Sequence, residues 1–187
     1  MIIGRFQPFT VGHLRMCEDG FKKNGLPVVI LMISNKKFDS KHPFTDSLIE
    51  RELEIVKKNY KFIQDVLWVT NADIVKAGQL LGEHDYQAQL WLCGEDREEA
   101  YRKQAHNPKY REQGGYPEDF TTYTGSGRTE GVSGTVVRES IQNNDRKAFD
   151  NLMPKGTGKL FDEFKEEIQK VSESNSQSLA DFLEEII

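Results

Sequence analysis

Residues 4–13 read Gly-Arg-Phe-Gln-Pro-Phe-Thr-Val-Gly-His and follow the apolar start Met1-Ile2-Ile3. A short strand, a glycine-containing loop and a helix start, in that order, present free backbone N–H groups to a ligand, and such a helix N terminus binds phosphate. Gly4 and Gly12 let a nucleotide come close to the backbone, and Pro8 stiffens the turn between them. Arg5, Phe6 and Gln7 fall in the stretch that would wrap the nucleotide. His13 sits in the first turn of the helix, where its imidazole can donate to a phosphate oxygen. Thr10, three residues earlier, can cap the helix or donate its hydroxyl to the same anion. Taken singly, a histidine is commonly a surface group and such a threonine a plain cap. Together they describe a phosphate site.

The elements that must hold this loop follow from hydrophobic patterning. Met1–Ile3 predicts a first strand, Leu14–Lys23 a helix, and the unbroken run Leu26–Ile33 a strand buried on both faces of a parallel sheet. Residues 46–60 carry apolar side chains at 48, 49, 53, 55 and 56 among charges, which predicts an amphipathic helix. Asp65–Thr70 reads as the next strand, Ile74–Leu81 as a helix and Gln89–Cys93 as a further strand. This alternation predicts an α/β fold: a Rossmann-like parallel sheet with helices on both faces, right-handed crossovers, and ligands at the carboxyl ends of the strands. Residues 95–131 are polar and punctuated by Gly and Pro, and predict loops with one short helix at Arg97–Gln104. Thr135–Asn143, Arg146–Met153 and Lys159–Val171 read as helices. We therefore expect one domain over residues 1–171, a Ser/Asn/Gln-rich linker at 172–178 and a short acidic amphipathic tail at 179–187. The tail either packs back on the domain or docks on a partner or a second copy.

The segment Gly4–His13 resembles the G-x-F-x-P-x-[HT]-x-G-H signature of the nucleotidyltransferase superfamily of class I aminoacyl-tRNA synthetase type. It is most similar to the GRFQPxHxGH form of archaeal-type nicotinamide mononucleotide adenylyltransferases. These carry a second phosphate motif, S-[ST]-T-x-[IV]-R, at a later helix N terminus, and Val132-Ser-Gly-Thr-Val-Val-Arg138 is similar to it. Ser133 and Thr135 offer hydroxyls and N–H groups, and Arg138, one turn on, supplies a forked cation suited to phosphate oxygens. Gly94-Glu95-Asp96 resembles the segment after the fourth strand that lines the nucleotide pocket, which implies nucleotide binding by Gly94 and Asp96. Ser40-Lys-His-Pro-Phe-Thr45 with Glu50-Arg51 is similar to the K-N-P-F-T and E-R elements, with two extra residues between them. That implies acceptor binding by Lys41, Phe44 and Arg51. Phe6, Phe9 and Phe44 are the rings placed to touch a base, whereas Trp68 and Trp91 alternate with apolar neighbours and read as core. The resemblance spans about residues 1–145 and leaves 97–130 uncovered.

The resemblance implies attack by a phosphate oxygen on the α-phosphorus of a nucleoside triphosphate, with pyrophosphate leaving. An anionic nucleophile needs no strong base, so the protein positions reactants and stabilises charge. His13 would donate near the α- and β-phosphates, Thr10 would add a hydroxyl, Thr135 and Arg138 would hold the β- and γ-phosphates, and Mg²⁺ would arrive with ATP. Nicotinamide mononucleotide is the acceptor first implied. A cytidylyltransferase, a pantetheine-phosphate adenylyltransferase and a non-catalytic nucleotide sensor are the alternatives. Thr10 stands where the archaeal-type enzymes carry a histidine, and T-x-G-H resembles the pantetheine-phosphate enzymes, so the acceptor is left open. A tRNA synthetase fragment would need a K-M-S-K-S-like loop, which the sequence lacks.

Bulk properties narrow the remainder. A net charge of −5 over 187 residues argues against general affinity for polyanions such as duplex DNA. No apolar run is long enough to cross a bilayer and the start does not read as a signal peptide, so we expect a soluble cytoplasmic protein. His42, His84 and His106 lack metal-ligand spacing, and no protein metal site is expected. Cys17 and Cys93 lie in apolar stretches and read as free, buried thiols.

Overall fold

The computed structural model describes residues 1–125 and 129–184, with side chains to residue 174. Strand β1 (Ile2–Gly4) leads into α1 (Val11–Asn24), β2 (Val28–Ile33), α2 (Asp46–Asn59), β3 (Ile63–Val69), α3 (Ile74–Glu83) and β4 (Leu90–Leu92). The five strands, counting β5 (Thr121–Tyr123), lie in the order β3-β2-β1-β4-β5 with every pairing parallel. In this order the chain builds outward from β1 in both directions, so the carboxyl ends of β1 and β4 flank the crevice where such sheets bind ligands.

The buried run at β2 shows why the sheet is covered twice. Val28, Ile30 and Met32 join Ile2 in one core with Leu14 and Cys17 of α1, Leu48, Ile49 and Leu53 of α2, and apolar residues beyond residue 136. Val29 and Leu31 join Met1, Leu67, Val69 and Trp91 in a second core under α3. The side-chain period of two thus feeds both faces from one strand.

Residues 95–131 hold more regular structure than their composition predicts. They form α4 (Glu95–Ala105), α5 (Pro108–Gly114) and β5. Asn107 caps α5 by accepting from Lys109 N–H, and Pro108 sits in its first turn. A seven-residue helix is too short to show a period, and its stability comes from packing on α3, where a Cβ on Gly78 would collide with the Gly114 carbonyl. β5 escapes detection because it is a three-residue edge strand of half-buried Thr-Thr-Tyr, paired with β4.

Next come α6 (Gly134–Gln142), α7 (Arg146–Leu152), a 3-10 turn (Thr157–Leu160) and α8 (Phe161–Glu184). The helix α8 runs through residues 172–178, where composition predicts a linker, because Ser, Asn and Gln are only mildly unfavourable in helices and no Gly or Pro interrupts them. Residues 185–187 of the expected tail lie outside the described residues. Among the described residues no helix is long and apolar enough to cross a membrane. Cys17 and Cys93 are both free and buried.

Candidate active site

The chain leaves β1 at Gly4 and turns back over the strand's end through Phe6, whose φ of 50° is left-handed, and a cis Gln7-Pro8 bond. It then enters α1 with Thr10 as N-cap. His13, three residues on, takes the place of the Glu or Gln of a capping box: its Nδ1 accepts the Thr10 backbone N–H at 3.0 Å and lies 3.1 Å from Thr10 Oγ1. An accepting Nδ1 leaves the proton of the neutral ring on Nε2. The ring packs against Phe6 and Phe9, with centroids 5.4 and 5.3 Å away. Burial among these rings pushes the His13 pKa down to about 4. At neutral pH His13 is therefore an uncharged donor of fixed tautomer. The Thr10 hydroxyl is engaged with this ring and almost fully buried, so its place is behind His13 rather than directly against an anion.

The second helix start closes on the first. Ser133 caps α6 by accepting from Val136 N–H at 3.2 Å. A Cβ on Gly134 would stand 2.8 Å from the Gln7 carbonyl oxygen, so a glycine is what lets α6 press against the opening loop. Arg138 spans the two: Nη1 donates to the Gln7 carbonyl at 2.7 Å and Nη2 to Thr135 Oγ1 at 3.1 Å. Burial lowers its pKa, while Asp39 and Glu139 oppose the shift.

His13 and Arg138 line the same cavity of about 930 Å³ at the carboxyl ends of the strands, together with Gly4, Arg5, Phe6, Gln7, Gly94, Asp96 and Thr135. An adjoining space of about 360 Å³ is lined by Thr10, Gly12, His13, Gly94, Asp96 and Ser133. The helix starts differ in charge. Neither α1 nor α6 has an acidic residue in its first turn, whereas α4 has Glu95, Asp96 and Glu98. Anions are therefore favoured at α1 and α6 and opposed at α4.

Three residues expected at the acceptor lie elsewhere. Phe44 is fully buried and packs edge-on against Phe164, 4.7 Å between centroids. Its backbone exchanges two hydrogen bonds with the Gln7 side chain, Gln7 Nε2 to the Phe44 carbonyl at 3.0 Å and Phe44 N–H to Gln7 Oε1 at 2.9 Å. Gln7, which lines the cavity, is thus tied to a residue that does not, and Phe9, also fully buried, packs on the His13 ring. Arg51 pairs with Glu163 of α8, outside the cavity. Lys41 is exposed and does not line the cavity; Lys36 and His42 of the same loop do. Trp91 is core, but Trp68 is 38% exposed and donates to Glu50, because β3 lies at the sheet edge.

Sequence reasoning passed over Ser34 after β2, and Thr70 and Asn71 after β3, which complete the cavity wall. Their position directly behind two predicted parallel strands was the available signal. It also passed over Glu52, a wholly buried carboxyl on α2 that accepts from the Phe9 backbone N–H at 3.2 Å. Among the described residues, no group of three or more His, Cys, Asp or Glu is placed to hold a metal.

The sheet is doubly wound and parallel, and two helix N termini meet at its switch point, the place where such α/β sheets bind ligands. The profile of the Cytidylyltransferase-like family matches residues 1–140, and the chain belongs to that family, a family of nucleotidyltransferases. Comparison with curated proteins gave no match.

Proposed function

We propose that this nucleotidyltransferase is an adenylyltransferase that joins nicotinamide mononucleotide to the AMP moiety of ATP and releases pyrophosphate. The observation that carries the reading is the convergence of His13 and Arg138, from two acid-free helix starts, on one cavity. A phosphate oxygen of the acceptor attacks the α-phosphorus, the bond from that phosphorus to the bridging oxygen breaks, and pyrophosphate leaves with the electron pair. No proton need be removed from the nucleophile. The work left to the protein is alignment and relief of charge.

His13 suits that work as a neutral Nε2–H donor whose orientation is set by Thr10. Arg138 and the N–H groups of α6 face the outer phosphates, and Gly12 leaves the start of α1 open for close approach. The acidic first turn of α4 repels phosphate and offers Asp96 as an acceptor for sugar hydroxyls, so the triphosphate and nucleoside ends are sorted by charge. In the wall behind β2 and β3, Ser34 and His42 are bonded to Asp46 and Asp39, and Lys36, Thr70 and Asn71 offer donors to a phosphorylated acceptor. Mg²⁺ would arrive as an ion carried by the triphosphate oxygens and would neutralise developing phosphate charge.

The test is pyrophosphate release from ATP and from CTP against nicotinamide mononucleotide, nicotinic acid mononucleotide and phosphopantetheine. ATP with nicotinamide mononucleotide should give the fastest release. No dinucleotide from that pair rejects the acceptor, faster release with CTP rejects the base, and tight ATP binding without release from any pair favours a sensor.

A further inference from the structure

Glu52 has no place in the chemistry above, yet it sits directly beneath it. Its side chain enters from α2 with no exposed surface, and Oε2 accepts the Phe9 N–H at 3.2 Å while Oε1 has no hydrogen-bond partner among the described residues. A lone buried carboxyl is costly to keep, so its hydrogen bond must matter to the loop it holds. Phe9 and Thr10 are consecutive. The first N–H is anchored by Glu52 and the second is the donor that fixes His13 Nδ1. The Pro8–Phe9 peptide that Glu52 anchors and the Phe9–Thr10 peptide that donates to His13 meet at the Phe9 Cα, whose ring is fully buried, so a shift of the first carries the second with it.

We propose that Glu52 is a positioning residue which, by holding the Phe9 N–H, fixes the Thr10 peptide and through it the orientation and Nε2–H tautomer of the His13 imidazole. The task requires an acceptor and no charge. Burial raises the Glu52 pKa well above the ordinary carboxyl range, with the Phe9 hydrogen bond as the opposing influence, so the group serves as a neutral acid. For the reaction, the inference rests on the adenylyltransferase reading. The geometry on which it stands does not.

The test therefore has two arms. In the first, ring-nitrogen NMR shifts of His13, without any substrate, are compared among the parent, Glu52→Gln, which keeps an uncharged acceptor, and Glu52→Leu, which has none. The parent and Glu52→Gln should report the Nε2–H form, and Glu52→Leu should move toward a mixture of tautomers. In the second arm, Glu52→Leu should lower kcat by about tenfold or more with KM for ATP changed less than about threefold, and Glu52→Gln should restore most of kcat. Parent-like His13 shifts in Glu52→Leu overturn the proposal, as does a Glu52→Leu defect carried in KM alone. If Glu52→Leu does not fold, Glu52→Met takes its place, and loss of the fold in both assigns the carboxyl to stability alone and overturns the proposal. If the parent transfers nothing to any acceptor, the adenylyltransferase reading fails, while the NMR arm still decides the role of Glu52.

Discussion

At the scale of single residues the site rests on an imidazole that serves the fold and the ligand with different atoms. Nδ1 of His13 closes the start of α1, and Nε2–H is left for a ligand. Replacing His13 with Ala should lower kcat for transfer about 100-fold or more, the range for loss of one positioned donor to a developing negative charge. Circular dichroism should show the fold intact with a modest fall in melting temperature from the lost cap contact. Gly12 separates stability from binding in the opposite sense. A Cβ there would meet Thr10 Oγ1 at 3.4 Å and Val132 Cγ1 at 3.5 Å, both ordinary contacts. Gly12→Ala should therefore leave the melting temperature unchanged or raise it, through up to about 1 kcal/mol of helix propensity. The same variant should raise KM for ATP about tenfold or more, because the methyl group would occupy the space the ligand needs. A parent-like KM would mean that no ligand approaches this turn.

At the scale of elements, α8 reaches back to the start of α2. Glu167 accepts from Thr45 N–H at 2.7 Å and from Thr45 Oγ1 at 2.6 Å, so a carboxylate from the last described helix ties down the N-cap of α2. Glu167→Ala should cost about 1–3 kcal/mol in urea unfolding, with the m-value unchanged. The elements of the sheet were legible because an unbroken β-branched and apolar run such as Val28–Ile33 is stable only where both of its faces are covered, as in the middle of a parallel sheet. α5 and β5 were not, since seven residues and three residues carry too little period and owe their form to α3 and β4. The site was legible in part for a related reason. Gly4, Gly12, His13 and Arg138 belong to local patterns at strand and helix ends, and those patterns are fixed by backbone geometry. Whether Phe44 or Arg51 turns toward a ligand depends on a neighbour, and Phe164 and Glu163, more than one hundred residues away in sequence, take both. Glu52 was hidden among the charges of an amphipathic helix, with nothing in its spacing to mark it as buried.

Across the whole molecule two titrating groups, the half-buried His13 and the fully buried Glu52, shape stability in opposite directions. His13, held at about 4 against an ordinary 6.5, binds no proton in the native state where the unfolded chain does, so stability declines as pH falls from about 6.5 toward 4. Glu52 is raised, so its proton is retained in the native state after the unfolded chain has lost it. Its contribution is complete below the ordinary value of 4.5 and is lost as pH rises toward its folded value. Melting temperatures of Glu52→Gln, which cannot ionise, should therefore fall less than those of the parent as pH rises above 4.5. The reciprocal bonds between the Gln7 amide and the Phe44 backbone have a consequence of their own. They mimic one rung of a strand ladder between segments that belong to no strand, and the rung breaks when the Gln7 side chain swings away. In deuterated water the Phe44 amide should therefore exchange slowly in the parent and faster in Gln7→Ala, which reads how firmly the opening loop is tied to the segment before α2.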